Sequence, residues 1–302
     1  MSKEIEDKLG KIPIVNSLVV LVKRIKLPKF EGYSLYDLLE LYIIGIVKGA
    51  FSYRAGSIAF SFFMALFPFA LFVLNLIPYI PIEGFQEDFM RFIADSVPPN
   101  TYGAIESILE DIMNNSYRSL LSSGFLLSVL LMANGVFAII GGFESAYHIT
   151  ISRSLFRQYL VAVALSVLMA IMLIISVAVF VTFEVLIHQL AVMEIWVQWA
   201  RNIFLLFMIL MVTSTLYKFG AKETKQVPFI SNGSIFTTIL YVLTSYLFGI
   251  YVLRFARYNE LYGSIGTLLV LMFYIWINCM ILLLGFELNV AISKLKRKNR
   301  YI

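Results

Sequence analysis

Residues 158–183 read QYLVAVALSVLMAIMLIISVAVFVTF, a run of 26 residues without one Asp, Glu, Lys or Arg. The hydrocarbon core of a bilayer takes about 20 apolar residues of α-helix, so this run is long enough to cross it. A membrane β-barrel would instead show segments of about ten residues with alternating polarity. The stretch therefore predicts a transmembrane helix.

Five further uncharged runs have the same character, and they lie at residues 55–82, 119–143, 202–217, 226–253 and 261–286. The run of 16 residues at 202–217 is short, but apolar residues 195–200 precede it and only Arg201 intervenes. A long Arg side chain can reach the membrane interface. The six runs predict an all-α, polytopic membrane protein with six transmembrane helices.

The composition agrees with this fold class. Apolar and aromatic residues make up 60% of the 302 residues and charged residues 14%, whereas an average soluble domain has about 25% charged residues. A soluble globular protein is excluded.

The basic residues predict the orientation in the membrane. Of the 24 Lys and Arg residues, 19 fall in segments on the side of both termini and five on the other side. An excess of basic residues marks the cytoplasmic side. We therefore expect a multi-pass protein of the plasma membrane, which is the inner membrane if the cell is Gram-negative, with both termini in the cytoplasm.

The segments outside the six runs predict the domain organisation. Residues 1–54 form a cytoplasmic and interfacial segment, in which apolar residues at helical intervals predict an amphipathic interfacial helix over 34–53. The membrane domain covers 55–292, and 293–302 is a basic cytoplasmic tail. Residues 83–118, with seven acids and two bases, predict an external hairpin of two helices broken at Pro98-Pro99-Asn100.

Polar residues on the first span lie on one side of the helix. At 100° per residue, Ser57, Ser61, Pro68 and Asn75 share a stripe, and Arg54 lies close to it. Polar side chains in a membrane usually face protein or a watery cavity. The stripe predicts part of a substrate pathway, although close helix packing explains the small residues equally well, and Pro68 predicts a kink in the helix.

Asn134 and Asn278 lie on similar polar faces of the second and sixth spans. Each carboxamide needs partners in a dry environment, which either a substrate or a neighbouring helix can supply. Because the third and fourth spans are more uniformly apolar, we expect the other four spans to surround a central region.

The charges near the cytoplasmic ends of the helices have two interpretations. Arg54 and Lys218 would attract a carboxylate, phosphate or sulfate group near a cavity. Alternatively, both cations meet lipid phosphates or pair with Glu144 and Glu287, and structural ion pairs are the expected role of these two acids. The ligand candidates on the pathway are therefore Arg54, Ser57, Ser61, Pro68, Asn75, Asn134, Lys218 and Asn278.

The sequence predicts neither a cofactor nor a metal site. His148 and His188 fall at opposite membrane faces in the predicted topology, and Cys279 lies inside the sixth run. Phosphate-binding loops and nucleophile elbows are absent from the sequence. We expect no enzymatic activity and no nucleic-acid partner, while membrane lipids are expected partners; the residues do not determine an oligomeric state.

Several segments resemble the YihY/BrkB family of bacterial inner-membrane proteins. The segments are RAGSIAFSFFMALFP at 54–68, LYKFG at 216–220, the region 251–258, YGSIG at 262–266 and LGFELN at 284–289. The resemblance covers most of 41–292 and implies six spanning helices. The sequence departs from the family pattern at Ala221, where proline is usual, and at Phe286, where alanine is usual.

Members of this family have been given several functional descriptions. Some family members were once described as a transfer-RNA-processing ribonuclease, and others are linked to serum resistance or to movement of lipid-linked or small anionic molecules. The ribonuclease label finds no support in these residues, because neither a metal cluster nor a basic, aromatic RNA platform is present.

Two functions follow as expectations. The first is a transporter-like bundle that moves an anionic solute or lipid headgroup outward, because polar stripes around a proline-broken helix suit a pathway. The second is a membrane scaffold or envelope-integrity protein that does not transport. A dry bundle without a cavity near Asn75, Asn134 or Asn278 would favour the scaffold.

Overall fold

The fold was analysed in a computed structural model. The structure describes residues 23, 24, 26, 34–76, 84–96, 118–146, 149, 153–189, 194–222, 227–255 and 264–299. Across these ranges the chain forms helices and no strand, apart from an isolated bridge between Lys26 and Ser34. The helices of these ranges are α1 Leu35–Lys48, α2 Phe51–Leu76, α3 Phe85–Ser96, α4 Arg118–Glu144, α5 Leu155–Gln189, α6 Glu194–Gly220, α7 Asn232–Phe255 and α8 Ser264–Asn299.

Each of the six uncharged runs falls on one long helix: α2, α4, α5, α6, α7 or α8. Over the described residues, four of these helices are long and apolar enough to cross a membrane: α5, α6, α7 and α8. The described side chains of α2 and α4 cover 51–66 and 130–144, and the latter part is a shorter apolar helix. The prediction of an all-α membrane protein is confirmed.

The six long helices form a closed ring. Each contacts the next along the chain, in the order α2, α4, α5, α6, α7 and α8, and α8 returns to α2. Sequential neighbours are expected to pack together where connections are short. The shorter helices lie on the ring, since α1 packs on α8 and α3 contacts α5.

Helix α1 begins at a capping box. Ser34 receives a hydrogen bond from the Asp37 amide, and the Asp37 carboxylate accepts from the Ser34 amide at 2.7 Å. Leu39, Ile43 and Val47 follow one another at four-residue spacing and are exposed. Such an exposed apolar face suits the membrane interface, so the interfacial role of this segment stays a prediction that the geometry permits.

The predicted external hairpin is described in part. Helix α3 occupies its first half, where Phe89 is buried and Glu87 is exposed. The predicted second helix and the break at Pro98-Pro99-Asn100 lie outside the described residues.

Helices α7 and α8 approach each other closely at two glycines. A methyl group on Gly233 would overlap the Gly285 carbonyl, and one on Gly285 would overlap the Thr237 hydroxyl. Asn289 fixes the same contact, because its Oδ1 accepts from the Gly233 amide at 2.8 Å and its Nδ2 donates to Ser231 Oγ at 2.8 Å. Small residues of this kind let membrane helices pack backbone against backbone.

We predict that Gly233→Ala lowers the free energy of unfolding by about 1–3 kcal/mol, the usual cost of overpacking. Gly249→Ala is the matched control on α7, because no atom lies within 4 Å of the added methyl group and alanine favours helix by about 0.5–1 kcal/mol. Thermal unfolding in detergent gives the melting temperature of each variant. Equal melting temperatures for the two variants would contradict the close contact.

Candidate functional site

A buried ion pair joins three helices near one end of the bundle. Arg54, at the start of α2, contacts Glu287 of α8 with 2.6 Å between Nη2 and Oε1, and their side chains are 5% and 0% exposed. Arg54 Nη1 also donates to the Gly142 carbonyl at 2.9 Å. That carbonyl lies in the last turn of α4, where helix carbonyls lack partners within the helix and attract cations. Arg54 therefore connects α2, α4 and α8.

The ion pair is incompletely hydrogen-bonded. In the described part of the chain, Arg54 Nε and Glu287 Oε2 are buried and have no partner. Burial of two charges costs desolvation energy, which their attraction offsets only when the remaining polar atoms are also satisfied. The net stabilisation by this ion pair is therefore small for two such deeply buried charges. Replacement of one partner by another ligand costs correspondingly little free energy.

Helix α1 and the turn after it cover this pair. Burial raises the pKa of Tyr42 to about 12, and the nearby Glu287 carboxylate adds to the rise, so the phenol is neutral at physiological pH. In the turn, a Cβ on Gly49 would lie 3.1 Å from Arg54 Nη2. A larger residue at position 49 would press on the guanidinium.

Glu144 forms a second charged contact at the ends of α4, α5 and α6. It accepts from the Arg153 amide at 2.8 Å, from Arg153 Nη1 at 3.2 Å and from Gln158 Nε2 at 2.5 Å. Arg153 also donates to the last carbonyls of α6, at Phe219 and Gly220. Arg153 lies in the connection before α5, where helical periodicity gives no signal, so the sequence does not indicate its role.

The remaining pathway candidates do not gather around Arg54. Ser57 and Asn134 are exposed, and Lys218 donates to the Val227 carbonyl at 2.7 Å. Asn278 donates to the Tyr274 carbonyl of its own helix at 2.8 Å. The side chains of Pro68 and Asn75 lie outside the described residues, while Ser61 is half-buried.

Packing, and not polarity, decides which face of α2 is buried. Ala55, Ile58 and Ala65 are buried on this helix together with Arg54. A hydroxyl can bond to its own helix, so Ser57 needs no partner on a neighbouring helix. Arg54 is buried although it is polar, because its charge is paired with Glu287.

A partly open cavity of about 400 Å³ lies among α2, α4, α5 and α6, with Tyr241 of α7 at its edge. Its lining is Phe62, Ala65, Leu66, Met132, Gly135, Val136, Ser166, Met169, Leu173, Ser176, Leu205, Met208, Ile209, Val212, Thr213 and Tyr241. None of these described lining residues carries a charge. Along α2, the lining begins 8 residues after Arg54, which is about 12 Å at 1.5 Å per residue.

The hydroxyl groups in this lining are already used. Ser166, Ser176 and Thr213 each donate to a carbonyl of their own helix, at 2.7, 2.8 and 2.9 Å. Tyr241 donates to the Asn278 carbonyl at 3.2 Å. The surface that faces the cavity is therefore hydrocarbon and thioether.

The position of the cavity corrects one expectation. The third and fourth spans, α5 and α6, were expected to face lipid more than the other four, yet they supply most of the lining. The expectation assumed that a central region would be wet and polar. An apolar cavity needs no polar stripe, so the most apolar helices can enclose it.

The Virulence factor BrkB family model matches residues 46–301. The chain belongs to this family. YfkH of Bacillus subtilis, which is named ribonuclease-like, is 29% identical over 81% of this chain and 90% of its own length. A UPF0761 membrane protein of Coxiella burnetii is 22% identical over 80% of this chain and 88% of its own length. No solved structure matches significantly.

The BrkB-family assignment agrees with the resemblance found in the sequence, and the chain is a membrane protein with apolar helices. The departure from the family pattern at Phe286 has a structural role. Its ring stacks on Phe143 of α4 with 4.2 Å between centroids, and both rings are fully buried. Phe286 therefore fills the core between α4 and α8.

Among the described residues, no three His, Cys, Asp or Glu side chains are grouped so that they could hold a metal ion. The side chains of His148 and His188 lie outside those residues.

We predict that Arg54→Gln and Glu287→Gln each lower the free energy of unfolding by about 3–5 kcal/mol, because each leaves one buried charge unpaired. The double variant Arg54→Gln/Glu287→Gln should be more stable than either single variant. Arg157→Gln is the control, since Arg157 is exposed at the start of α5.

Thermal unfolding in detergent is measured for the wild type, the two single variants and the double variant, which together form a double-mutant cycle. If the double variant loses as much stability as the two single variants together, the charges are not coupled. Because Arg54→Gln affects the fold, a loss of activity in that variant alone does not identify an anion site.

Proposed function

We propose that this BrkB-family protein is a transport protein of the plasma membrane that moves an anionic solute or an anionic lipid outward. We propose further that it is not a ribonuclease and binds no nucleic acid. The observation that carries the transport proposal is the cavity among α2, α4, α5 and α6. Neither Asn134 nor Asn278 is among its described lining residues, so the polar pathway expected from the sequence does not support transport. The proposal rests on the apolar volume, which a bundle that serves only as a support for partners does not need.

The charge distribution supports outward movement of an anion. Both termini and most basic residues are proposed to be cytoplasmic, where they attract anions, whereas the acidic segment 83–118 would repel anions that approach from outside. This distribution favours entry of the anion from the cytoplasm and disfavours its return.

Arg54 remains the candidate that would meet the anionic group. Its guanidinium is held by one oxygen of Glu287 and by a backbone carbonyl. A carboxylate or phosphate that replaces Glu287 on Arg54 would keep the cation paired. The Glu287 carboxylate would then have to take up a proton or reach water, and α8 would be freed from α2. Exchange of partners on Arg54 would thereby couple binding of the anion to a movement of α8.

We predict that residue 222 is cytoplasmic and residue 87 external. Lys222→Cys and Glu87→Cys, made separately in a Cys279→Ala background, place one thiol at an exposed position in each case. On intact cells, a membrane-impermeant maleimide should label Glu87→Cys only, and Lys222→Cys should react after permeabilisation. The reverse pattern would overturn the proposed orientation.

We predict that a bulky side chain in the cavity abolishes export. Met169 lines the cavity, whereas its neighbour Leu168 on α5 is 40% exposed. Cells with no protein, wild type, Met169→Trp or Leu168→Trp are compared by mass spectrometry of anionic compounds in the medium and anionic lipids of the outer leaflet. Wild type and Leu168→Trp should raise at least one species that Met169→Trp does not.

The abundance of each variant in the membrane and its melting temperature serve as controls for folding. Identical export profiles with and without the wild-type protein would reject transport. A scaffold would tolerate the filled cavity, so normal envelope integrity with Met169→Trp would favour the scaffold.

A further inference from the structure

We infer that the cavity binds one fatty acyl chain, so that the transported compound is an amphiphile whose chain lies among α2, α4, α5 and α6. This inference deepens the proposed function and rests on it for the direction and charge of the cargo. The binding of the chain itself rests on the lining of the cavity.

The chemistry of the lining selects hydrocarbon. The described lining residues offer no charge, and the four hydroxyls among them donate to backbone carbonyls. A polar ligand would lose its hydration there without replacement hydrogen bonds. A hydrocarbon chain makes no hydrogen bonds with water, so it loses none when it enters the cavity. Apolar cavities are known to bind apolar molecules.

The volume fits one chain. At about 30 Å³ for a group the size of a water molecule, the volume of about 400 Å³ takes roughly a dozen carbon atoms. The volume is therefore sufficient for one acyl chain.

The cavity is partly open to the surface of the bundle. Phe62, Leu173 and Leu205 line it and remain accessible to molecules the size of water. Around the middle of a spanning helix the surroundings are lipid chains. A chain can therefore enter sideways from the bilayer, without passing through a polar vestibule.

Three methionines make the lining adaptable. Met132, Met169 and Met208 come from α4, α5 and α6, one from each helix. The unbranched thioether side chain adjusts to irregular shapes. We therefore expect binding of chains that differ in length by a few carbons.

The polar head of the amphiphile must lie outside the cavity. On α2 the lining begins about 12 Å from Arg54 along the helix axis. This separation is suited to an amphiphile whose chain fills the cavity while its acidic head reaches toward Arg54.

The test uses palmitic acid that carries a photoreactive diazirine in the middle of the chain. The full-length protein in detergent is titrated with this probe, irradiated, digested and mapped by mass spectrometry. We expect saturable labelling of peptides from α4, α5 and α6, with Met132, Met169 and Met208 among the modified residues. Excess unlabelled palmitic acid should abolish this labelling, and butyric acid should not.

The variants used for export provide the matched pair. Met169→Trp should lower saturable labelling at least tenfold, whereas Leu168→Trp should leave it unchanged. Labelling that rises in proportion to the probe, at outward residues such as Ile171 and Ile203, would overturn the inference. Competition by butyric acid as strong as that by palmitic acid would also overturn it, in favour of a site for small anions.

Failure of this inference differs from failure of the proposed function. If labelling is saturable but export is the same with and without the wild-type protein, the chain site exists and transport is rejected. Export that depends on an open cavity without saturable labelling means that the protein transports a solute that has no long chain.

Discussion

Burial of Arg54 beside Glu287 constrains the whole bundle. In a medium of low dielectric constant neither charge is tolerated without the other, so the start of α2 must meet α8 at Glu287. The Gly142 carbonyl adds the end of α4 to the same point. Because α8 closes the ring against α2, this contact holds the first and last spans together, and the helices between them are arranged around it.

The ring is packed in two ways. Between α7 and α8, glycines, hydroxyls and the Asn289 carboxamide bring the backbones so close that a single methyl group does not fit. Between α2, α4, α5 and α6, long flexible side chains leave a cavity. One side is thus rigid and the other deformable. A transport cycle that frees α8 from α2 would therefore move α7 and α8 together as one unit against the deformable side.

The sequence predicted the helices better than the site. Uncharged runs such as 158–183 and 261–286 located α5 and α8, because the bilayer imposes length and apolarity on each span separately. The sequence offers Arg54 and Lys218 as cations for Glu144 and Glu287, with lipid phosphates as the alternative. It does not assign the pairs, since no pattern within one chain segment shows which helices become neighbours. The exposed position of Ser57 and the cavity between α5 and α6 depend on packing among several helices, which helical periodicity does not describe.

The length of α5 connects the cavity to the bilayer around it. Its apolar part, Leu155–Phe180, has 26 residues, or about 39 Å at 1.5 Å per residue, whereas the hydrocarbon core is about 30 Å thick. This hydrophobic mismatch is relieved when the helix tilts or the bilayer thickens locally. Since α5 forms one wall of the cavity, its tilt sets the distance to the opposite wall. We therefore expect membrane thickness, and hence lipid composition, to change the width of the cavity.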